Sequence, residues 1–258
     1  MNLSEVTWTD VADADTRLAL LPVGSTEQHG PHAPLGTDVL TAEAVARAGA
    51  DRYADEHGDR PVVAPAVPVG VAEEHRTFAG TLWVSPDTFR AYVREIAQSL
   101  AGHGFDRLVL VNGHGGNADA LREVAARLSR DGDARTVSFT WFEHVGGDGE
   151  DLPPMGHGGG RETALLRAVA PHLVHEDRVD EARAGAAERW GEWVAGVDVA
   201  HDTEAFSENG VVGDPDPGPG PGEGEGKGDA ATGERLLSTA AETLATVLAA
   251  VGRHEETD

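Results

Sequence analysis

Short apolar runs alternate along this chain with longer segments in which apolar residues repeat at helical spacing. Strands that are apolar on both faces belong to a sheet covered on both sides, and parallel strands need long crossover connections, usually helices. The pattern therefore predicts an α/β fold, a three-layer α/β/α sandwich with a mainly parallel central sheet. The predicted strands are RLALLPVG (17–24), the start of PVVAPAVPVG (61–70), DRLVLV (106–111) and ARTVSFTWF (134–142).

Capping residues mark the ends of several predicted helices. Ser85 followed by Pro86 is a typical N-cap and first-turn pair for a helix over 85–104, and Gly58 is a stop signal for a helix over 41–58. The same periodicity predicts helices over 118–133, 161–171 and 232–254.

The domain organisation follows from the continuity of this pattern. We read residues 1–258 as a single domain. Residues 213–229, GDPDPGPGPGEGEGKGD, are rich in proline, glycine and acid, and we expect a flexible surface loop that carries no chemistry.

The charge of the chain excludes several classes of partner. Asp and Glu number 45 against 20 Lys and Arg, a formal net charge of -25, and such a surface repels nucleic acid and anionic lipid. No run approaches the roughly 18 apolar residues of a membrane span. The first residues lack the pattern of a signal peptide, and there is no cysteine for disulfides or thiolate chemistry. We expect a cytoplasmic protein that binds neither nucleic acid nor membrane.

The acidic excess predicts adaptation to high salt, as in a halophilic archaeon. A disordered acidic chain is the other explanation, but the acids are interleaved with apolar-periodic segments. At molar salt the Debye length is about 3 Å, so the self-repulsion is screened. We expect the melting temperature to rise from low to molar KCl, with unfolding or aggregation at low salt. A melting temperature indifferent to salt would contradict this expectation.

Polar clusters follow two of the predicted strands, where an open α/β sheet binds its ligands. GSTEQHGPHAPLGTD (24–38) follows the first strand and NGHGGN (112–117) follows the third. HGGGRET (157–163) begins a predicted helix. Each cluster alone is more often an ordinary polar turn, and only their joint placement favours a site.

The side chains in these clusters form a hard nitrogen and oxygen donor set. Glu27, His29 and Asp38 come from the first cluster, His114 from the second and Glu162 from the third. Such donors suit Zn, Mn or Fe in the divalent state. Two ions about 3.5–4 Å apart can share and deprotonate one water molecule while one of them polarises a carbonyl. The clusters therefore predict a metal site.

Other catalytic motifs receive no support. No G-x-S-x-G surrounds Ser25, NGHGGN lacks the Lys-Ser/Thr of a P-loop, and no G-x-G-x-x-G follows a strand. His32 and His75 are left open, because each could face a pocket or serve only packing.

At these residues the sequence resembles the creatininase family of metal-dependent amidohydrolases. The matching blocks are LPVGSTEQHGPHAPLGTD, HRTFAGTL, NGHGGN and HGGGRET, in the family's order, over roughly residues 18 to 170. The resemblance implies a three-layer α/β/α domain and a homo-oligomer, commonly a hexamer. It also implies two divalent metal ions per subunit, Zn, Mn or Fe.

The resemblance also implies roles for individual residues. Glu27 and His114 match the ligands of one metal, His29 matches a ligand of the other, and Asp38 matches the ligand that bridges both. His157 matches a histidine near the reacting group, placed to protonate the leaving nitrogen. A further set is expected to contact substrate: His75, Gly115, Gly116 and Asn117.

One position departs from the family pattern. Creatininase carries a metal-binding glutamate two residues after the motif histidine, and here that position is Gly116. The second metal therefore needs another ligand, for which Glu162 is the candidate.

The implied reaction is hydrolysis of a non-peptide C–N amide bond. The NGHGGN form is similar to relatives that deformylate a formamidopyrimidine ribosyl phosphate in archaeal riboflavin and deazaflavin biosynthesis, and the acidic composition tilts the prediction towards them. Three alternatives stay open: hydrolysis of creatinine or another cyclic amide, a mycofactocin-type precursor peptidase, and a non-catalytic metal-binding assembly protein. Substrate screening discriminates the enzymes, whereas a closed metal shell would indicate the last.

Overall fold

Four parallel strands form the central sheet of the protein, a computed structural model that describes residues 1–145, 152, 154–217 and 228–253. They pair in the order β2-β1-β3-β4, and every pair is parallel, as predicted. The strands are β1 (Leu18–Val23), β2 (Val62–Val63), β3 (Arg107–Asn112) and β4 (Arg135–Thr140).

Helices cover both faces of this sheet. Three of them, α2, α5 and α7 in the list that closes this paragraph, pack together on one face, and α3 and α4 pack on the other. This arrangement confirms the predicted three-layer α/β/α sandwich. The helices are α1 (Trp8–Ala12), α2 (Thr37–His57), α3 (Pro86–Gly102), α4 (Ala118–Asp131), α5 (Gly160–Val169), α6 (Val179–Ala184) and α7 (Ala230–Gly252).

The alternation of side chains along β1 shows why both layers are needed. Leu18 and Leu20 pack into the layer of α2, α5 and α7, whereas Ala19, Leu21 and Val23 pack towards α3 and α4. A strand that is buried on both sides must be apolar throughout, which explains the continuous run LALLPV.

Helix α2 begins at Thr37, four residues before the predicted start. The prolines of the first polar cluster lie before the helix and do not interrupt it, and Gly58 ends it in the left-handed conformation with a φ of 76°. Asp38 is therefore fixed in the first turn of a helix, where the helix dipole favours a carboxylate.

A short hairpin after α6 was not predicted. Its strands are β5 (Trp193–Val194) and β6 (Val197–Asp198), joined by Ala195 and Gly196, both at positive φ. Positive φ at both central residues matches the right-handed twist of a hairpin. The two-residue strands are too short to leave a periodic signal. Trp193, Val194 and Val197 are exposed.

Two predictions concern the surface. Most of the predicted 213–229 loop falls on residues 218–227, which lie outside the described residues. Within the described ranges, no helix is both long enough and apolar enough to span a membrane.

Candidate metal centre

The three polar clusters meet at the carboxyl end of the sheet, and two glycines make this possible. A Cβ on Gly24 would lie 2.5 Å from the backbone nitrogen of Val39, and a Cβ on Gly113 would collide with the carbonyl oxygen of Asp38. The loops after β1 and β3 therefore press directly against the first turn of α2. This contact places Asp38 between the ligands that the two loops supply.

Asp38 faces a different histidine with each of its carboxylate oxygens. Oδ1 accepts a hydrogen bond from Nε2 of His29 at 3.1 Å, and Oδ2 lies 3.4 Å from Nδ1 of His114. The same Nδ1 lies 3.0 Å from Oε1 of Glu27. Glu27 and His114 thus lie in one half of the site and His29 in the other, with Asp38 between them.

Glu162 completes the half of the site that contains His29. It lies in the first turn of α5, where its Oε2 accepts a hydrogen bond from the Gly158 backbone N–H at 2.6 Å and sits 3.9 Å from Nε2 of His29. At Gly116 a side chain has no room, because its Cβ would collide with the Val71 carbonyl oxygen. The carboxylate that approaches His29 besides Asp38 thus comes from the third cluster, whereas the second cluster supplies none.

The donors at this site fit divalent metal ions. Among the described residues, Oε2 of Glu27 is buried without a hydrogen-bond partner, and Oε1 of Glu27 and Oδ2 of Asp38 face only imidazole nitrogens, at 3.0 to 3.7 Å. Buried carboxylate oxygens without partners are costly, and a cation between them removes that cost. Among the described residues, three groups of donor atoms are close enough to share an ion: Glu27, His29 and Asp38; His29, His157 and Glu162; and Glu27, His75 and His157. Imidazole and carboxylate donors suit Zn, Mn or Fe.

The carboxylates control protonation of the two central histidines. Burial alone would lower the pKa of His29, but the Asp38 carboxylate and its hydrogen bond raise it to about 10. Burial likewise opposes protonation of His114, and Glu27 raises its pKa to about 10. In the metal-free protein both imidazoles are therefore protonated on both nitrogens and positively charged at neutral pH. Burial raises the pKa of Glu162 to about 7.

His157 and His75 flank Glu27. Nδ1 of His157 lies 3.7 Å from Oε1 of Glu27, and the two imidazole rings stack with centroids 4.3 Å apart. Burial and the neighbouring His29 lower the pKa of His157 well below its ordinary value, so this imidazole is neutral at pH 7. Its Nδ1 can accept a proton or bind a cation.

Two other residues of the motifs serve the framework of the site. Nε2 of His32 is 2.9 Å from Oγ1 of Thr163. The Asn117 side chain donates to the Gly24 carbonyl oxygen and accepts from the Val71 backbone N–H, so both of its polar atoms bond to backbone. The structure thus places His32 and Asn117 behind the site, whereas Gly115 and Gly116 line the cavity in front of it.

A cavity of about 710 Å³ opens over the candidate metal centre, and His75, His114, His157 and Glu162 form part of its lining. The rest of the wall includes the apolar side chains of Phe142 and Met155 and the segment between α6 and β5, which carries Arg189 and Trp190. The cavity is therefore lined by candidate metal-binding groups and by a partly apolar wall.

Trp190 is the aromatic residue of this wall that stands nearest the histidines. Its ring meets His75 edge-on at 5.7 Å and is 40% exposed. Sequence reasoning missed Trp190 because its segment carries no periodic signal. Trp141, by contrast, is fully buried in the core.

Comparisons with known proteins agree with this geometry. The family model described as creatininase, creatinine amidohydrolase, matches residues 4–248. The mycofactocin precursor peptide peptidase of Mycobacterium ulcerans is 40% identical over 171 residues, which is 64% of this chain and 63% of that protein, less than two thirds of either. The protein of the same name from Mycolicibacterium smegmatis is 36% identical over 201 residues, 77% of this chain and 74% of its own. A solved structure named Creatininase Mn is 25% identical, with a TM-score of 0.72 over 98% of this chain and 99% of its own.

Proposed function

This chain belongs to the creatininase family, and from that premise we propose that it is a metal-dependent amidohydrolase that cleaves the C–N bond of a peptide-like amide. The observation that carries the proposal is the position of Asp38. One carboxylate oxygen faces His29 and the other faces His114, as a ligand shared by two ions requires.

The residues present would hold two divalent ions, Zn, Mn or Fe. Glu27 and His114 would hold one, His29 and Glu162 the other, and Asp38 both. Bound ions supply Lewis acidity, which lowers the pKa of a water molecule and polarises the scissile carbonyl. Because His157 is neutral and turns Nδ1 towards Glu27, it can take the proton of the attacking water and pass it to the leaving nitrogen.

The size and charge of the cavity favour a peptide-like substrate. Its volume of about 710 Å³ is within the range of sites that enclose drug-sized ligands, which is enough for a short peptide segment. Away from the proposed metal ligands, the described lining carries one arginine, Arg189, against three acids, Glu74, Glu188 and Asp214, so little positive charge is available there for a phosphate group. The relatives in Mycobacterium ulcerans and Mycolicibacterium smegmatis are named for a peptide substrate.

The other predicted functions receive less support. Deformylation of a formamidopyrimidine stays a prediction, and so does the restriction to non-peptide bonds. A cyclic amide such as creatinine is the second candidate, because Trp190 offers a planar ring an aromatic face beside His75. A non-catalytic metal protein is disfavoured by the open cavity over His114 and Glu162.

A homo-oligomer, hexameric as the resemblance implies, is part of the proposal. The exposed apolar side chains of the hairpin, Trp193, Val194 and Val197, support it, because association would remove them from water.

The metal-loaded protein tested on short peptides, creatinine and an N-formyl amine would decide among these substrates. We expect new amines from peptides by mass spectrometry, loss of activity with a chelator, and recovery on adding Zn or Mn. Full activity after metal removal would overturn the mechanism, and formate release alone would favour the deformylase.

Trp190→Ala should raise the KM for the cleaved peptide by about tenfold, the effect of losing about 1.4 kcal/mol of apolar contact. Trp8→Ala is the control, because this tryptophan is exposed on α1 and does not line the cavity. An unchanged KM in Trp190→Ala would remove that wall from the substrate site.

A further inference from the structure

Four histidines surround the carboxylates of the site, and three of them are held in the same way. Each directs one ring nitrogen at a backbone carbonyl oxygen. The distances are 3.2 Å from His29 Nδ1 to the Glu27 oxygen, 2.7 Å from His114 Nε2 to Val71 and 2.6 Å from His157 Nε2 to Gln28. A carbonyl oxygen only accepts, so these nitrogens carry protons. The opposite nitrogens face the carboxylates and are free to bind metal.

His75 has a different partner, the side-chain amide of Gln28. The orientation of that amide is fixed by two backbone groups of opposite kind. Its Oε1 accepts from the Gly30 N–H at 2.9 Å, and its Nε2 donates to the Gly210 carbonyl oxygen at 3.0 Å. A flipped amide would set N–H against N–H and oxygen against oxygen. Nε2 of Gln28 is therefore the atom that faces His75.

The amide nitrogen of Gln28 lies 2.9 Å from Nδ1 of His75. An amide nitrogen has only hydrogens to offer, so Nδ1 must accept and cannot carry a proton. The Thr203 hydroxyl, 2.9 Å from the same Nδ1, can donate as well. Neutral His75 therefore carries its proton on Nε2, the nitrogen that faces the site.

The Nε2–H of His75 has no hydrogen-bond partner within the described part of the chain. The side chain is fully buried, and the atom lies 3.5 Å from Oε1 of Glu27 at the cavity lining. A protonated nitrogen cannot bind a metal ion. It is suited to an oxygen atom on which negative charge develops.

We propose that His75 donates a hydrogen bond to the oxygen of the amide that is cleaved, and that Gln28 is the positioning residue that holds His75 in this donating tautomer. The inference rests on the proposed function. It assigns different tasks to neighbouring imidazoles: His29 and His114 offer lone pairs to the cations, His157 offers one to a proton, and His75 offers an N–H to the substrate oxygen.

The tautomer of His75 can be determined by NMR, without an activity assay. In 15N NMR spectra of the Zn-loaded, 15N-labelled protein, we expect His75, identified by its absence in His75→Asn, to carry hydrogen on Nε2 and none on Nδ1. In Gln28→Glu the carboxylate beside Nδ1 should draw the proton to that nitrogen. A bare Nε2 in the wild-type protein would overturn the inference.

Kinetics and metal content test the role of the donor. His75→Phe should lower kcat by about 10²- to 10³-fold, the usual loss for one oxyanion donor, with unchanged metal content. His75→Gln, which keeps an N–H, should recover part of the rate. Gln28→Glu should lower kcat while KM changes little. Loss of metal in His75→Phe would instead make His75 a ligand and overturn the inference.

Gln98→Glu is the control for the same chemical change and should keep wild-type kcat, because Gln98 is half-buried on α3, donates to Asp133 and does not line the cavity. If Gln28→Glu fails to fold by circular dichroism, Gln28→Met tests the same point, because loss of the donor permits both tautomers of His75. A wild-type protein that cleaves no amide overturns the proposed function and the amide oxygen as acceptor, whereas the spectrum judges the tautomer separately.

Discussion

Asp38→Ala is expected to remove bound metal and activity together. The carboxylate is 1% exposed and is the only group among the described residues that meets both His29 and His114 through separate oxygens. Without it neither half of the site keeps a full ligand set. We expect kcat to fall by about 10³-fold or more, as when a member of a catalytic unit is lost. Elemental analysis beside a rate measurement checks both effects.

Asp87→Ala is the matched control for Asp38→Ala. Asp87 occupies the same position in the first turn of its helix, α3, but it is fully exposed, and among the described residues it pairs only with Arg90. This variant should keep both ions and the wild-type rate. Asp38→Ala with two ions per subunit would contradict the bridging role.

Metal affinity is expected to rise steeply with pH, because the ions must displace protons. The pKa values of His29 and His114 are raised to about 10 in the metal-free protein, so both are protonated at neutral pH. Each proton released makes binding about tenfold stronger per pH unit, or about 100-fold when both leave. Calorimetric titration with Zn in buffers of different ionisation enthalpy counts these protons. An affinity that is flat between about pH 6 and pH 9 would contradict the proton displacement.

The same pKa shifts predict how stability depends on pH. A histidine whose pKa is raised by folding stabilises the protein fully below its unfolded value of about 6.5. That contribution is lost as the pH rises towards about 10, the folded value for His29 and His114. The metal-free protein should therefore lose melting temperature over this window. The metal-loaded protein holds no such protons, so the difference between the two should widen with pH.

The elements of the central sheet were predictable because their signals are local. The run LALLPV and the Ser85-Pro86 cap carry their own structural preference, and β1 and α3 appear where they predict. The predicted start of α2, at Thr41, was wrong because Pro31 and Pro34 indicated an irregular segment that extended past Asp38. Both prolines lie before Thr37, so they do not interrupt the helix.

The site was predictable only in part, for a different reason. The meeting of Glu27 and His114 follows from the rule that neighbouring parallel strands end at one edge. The approach of Glu162 to His29 depends on how α5 packs against the sheet. The tautomer of His75 depends on the Gly210 carbonyl, 182 residues from Gln28. Such long-range contacts leave no pattern in the local sequence.

The close contact of Gly24 and Gly113 with the first turn of α2 has a consequence for the order of folding. Gly24 follows β1 and Gly113 follows β3, and these strands join parts of the chain that are far apart in sequence. The ligands cannot converge until that slow, non-local pairing has formed. The ligands that the ions bind thus come together only after the transition state for folding. Bound ions should therefore leave the folding rate unchanged and lower the unfolding rate.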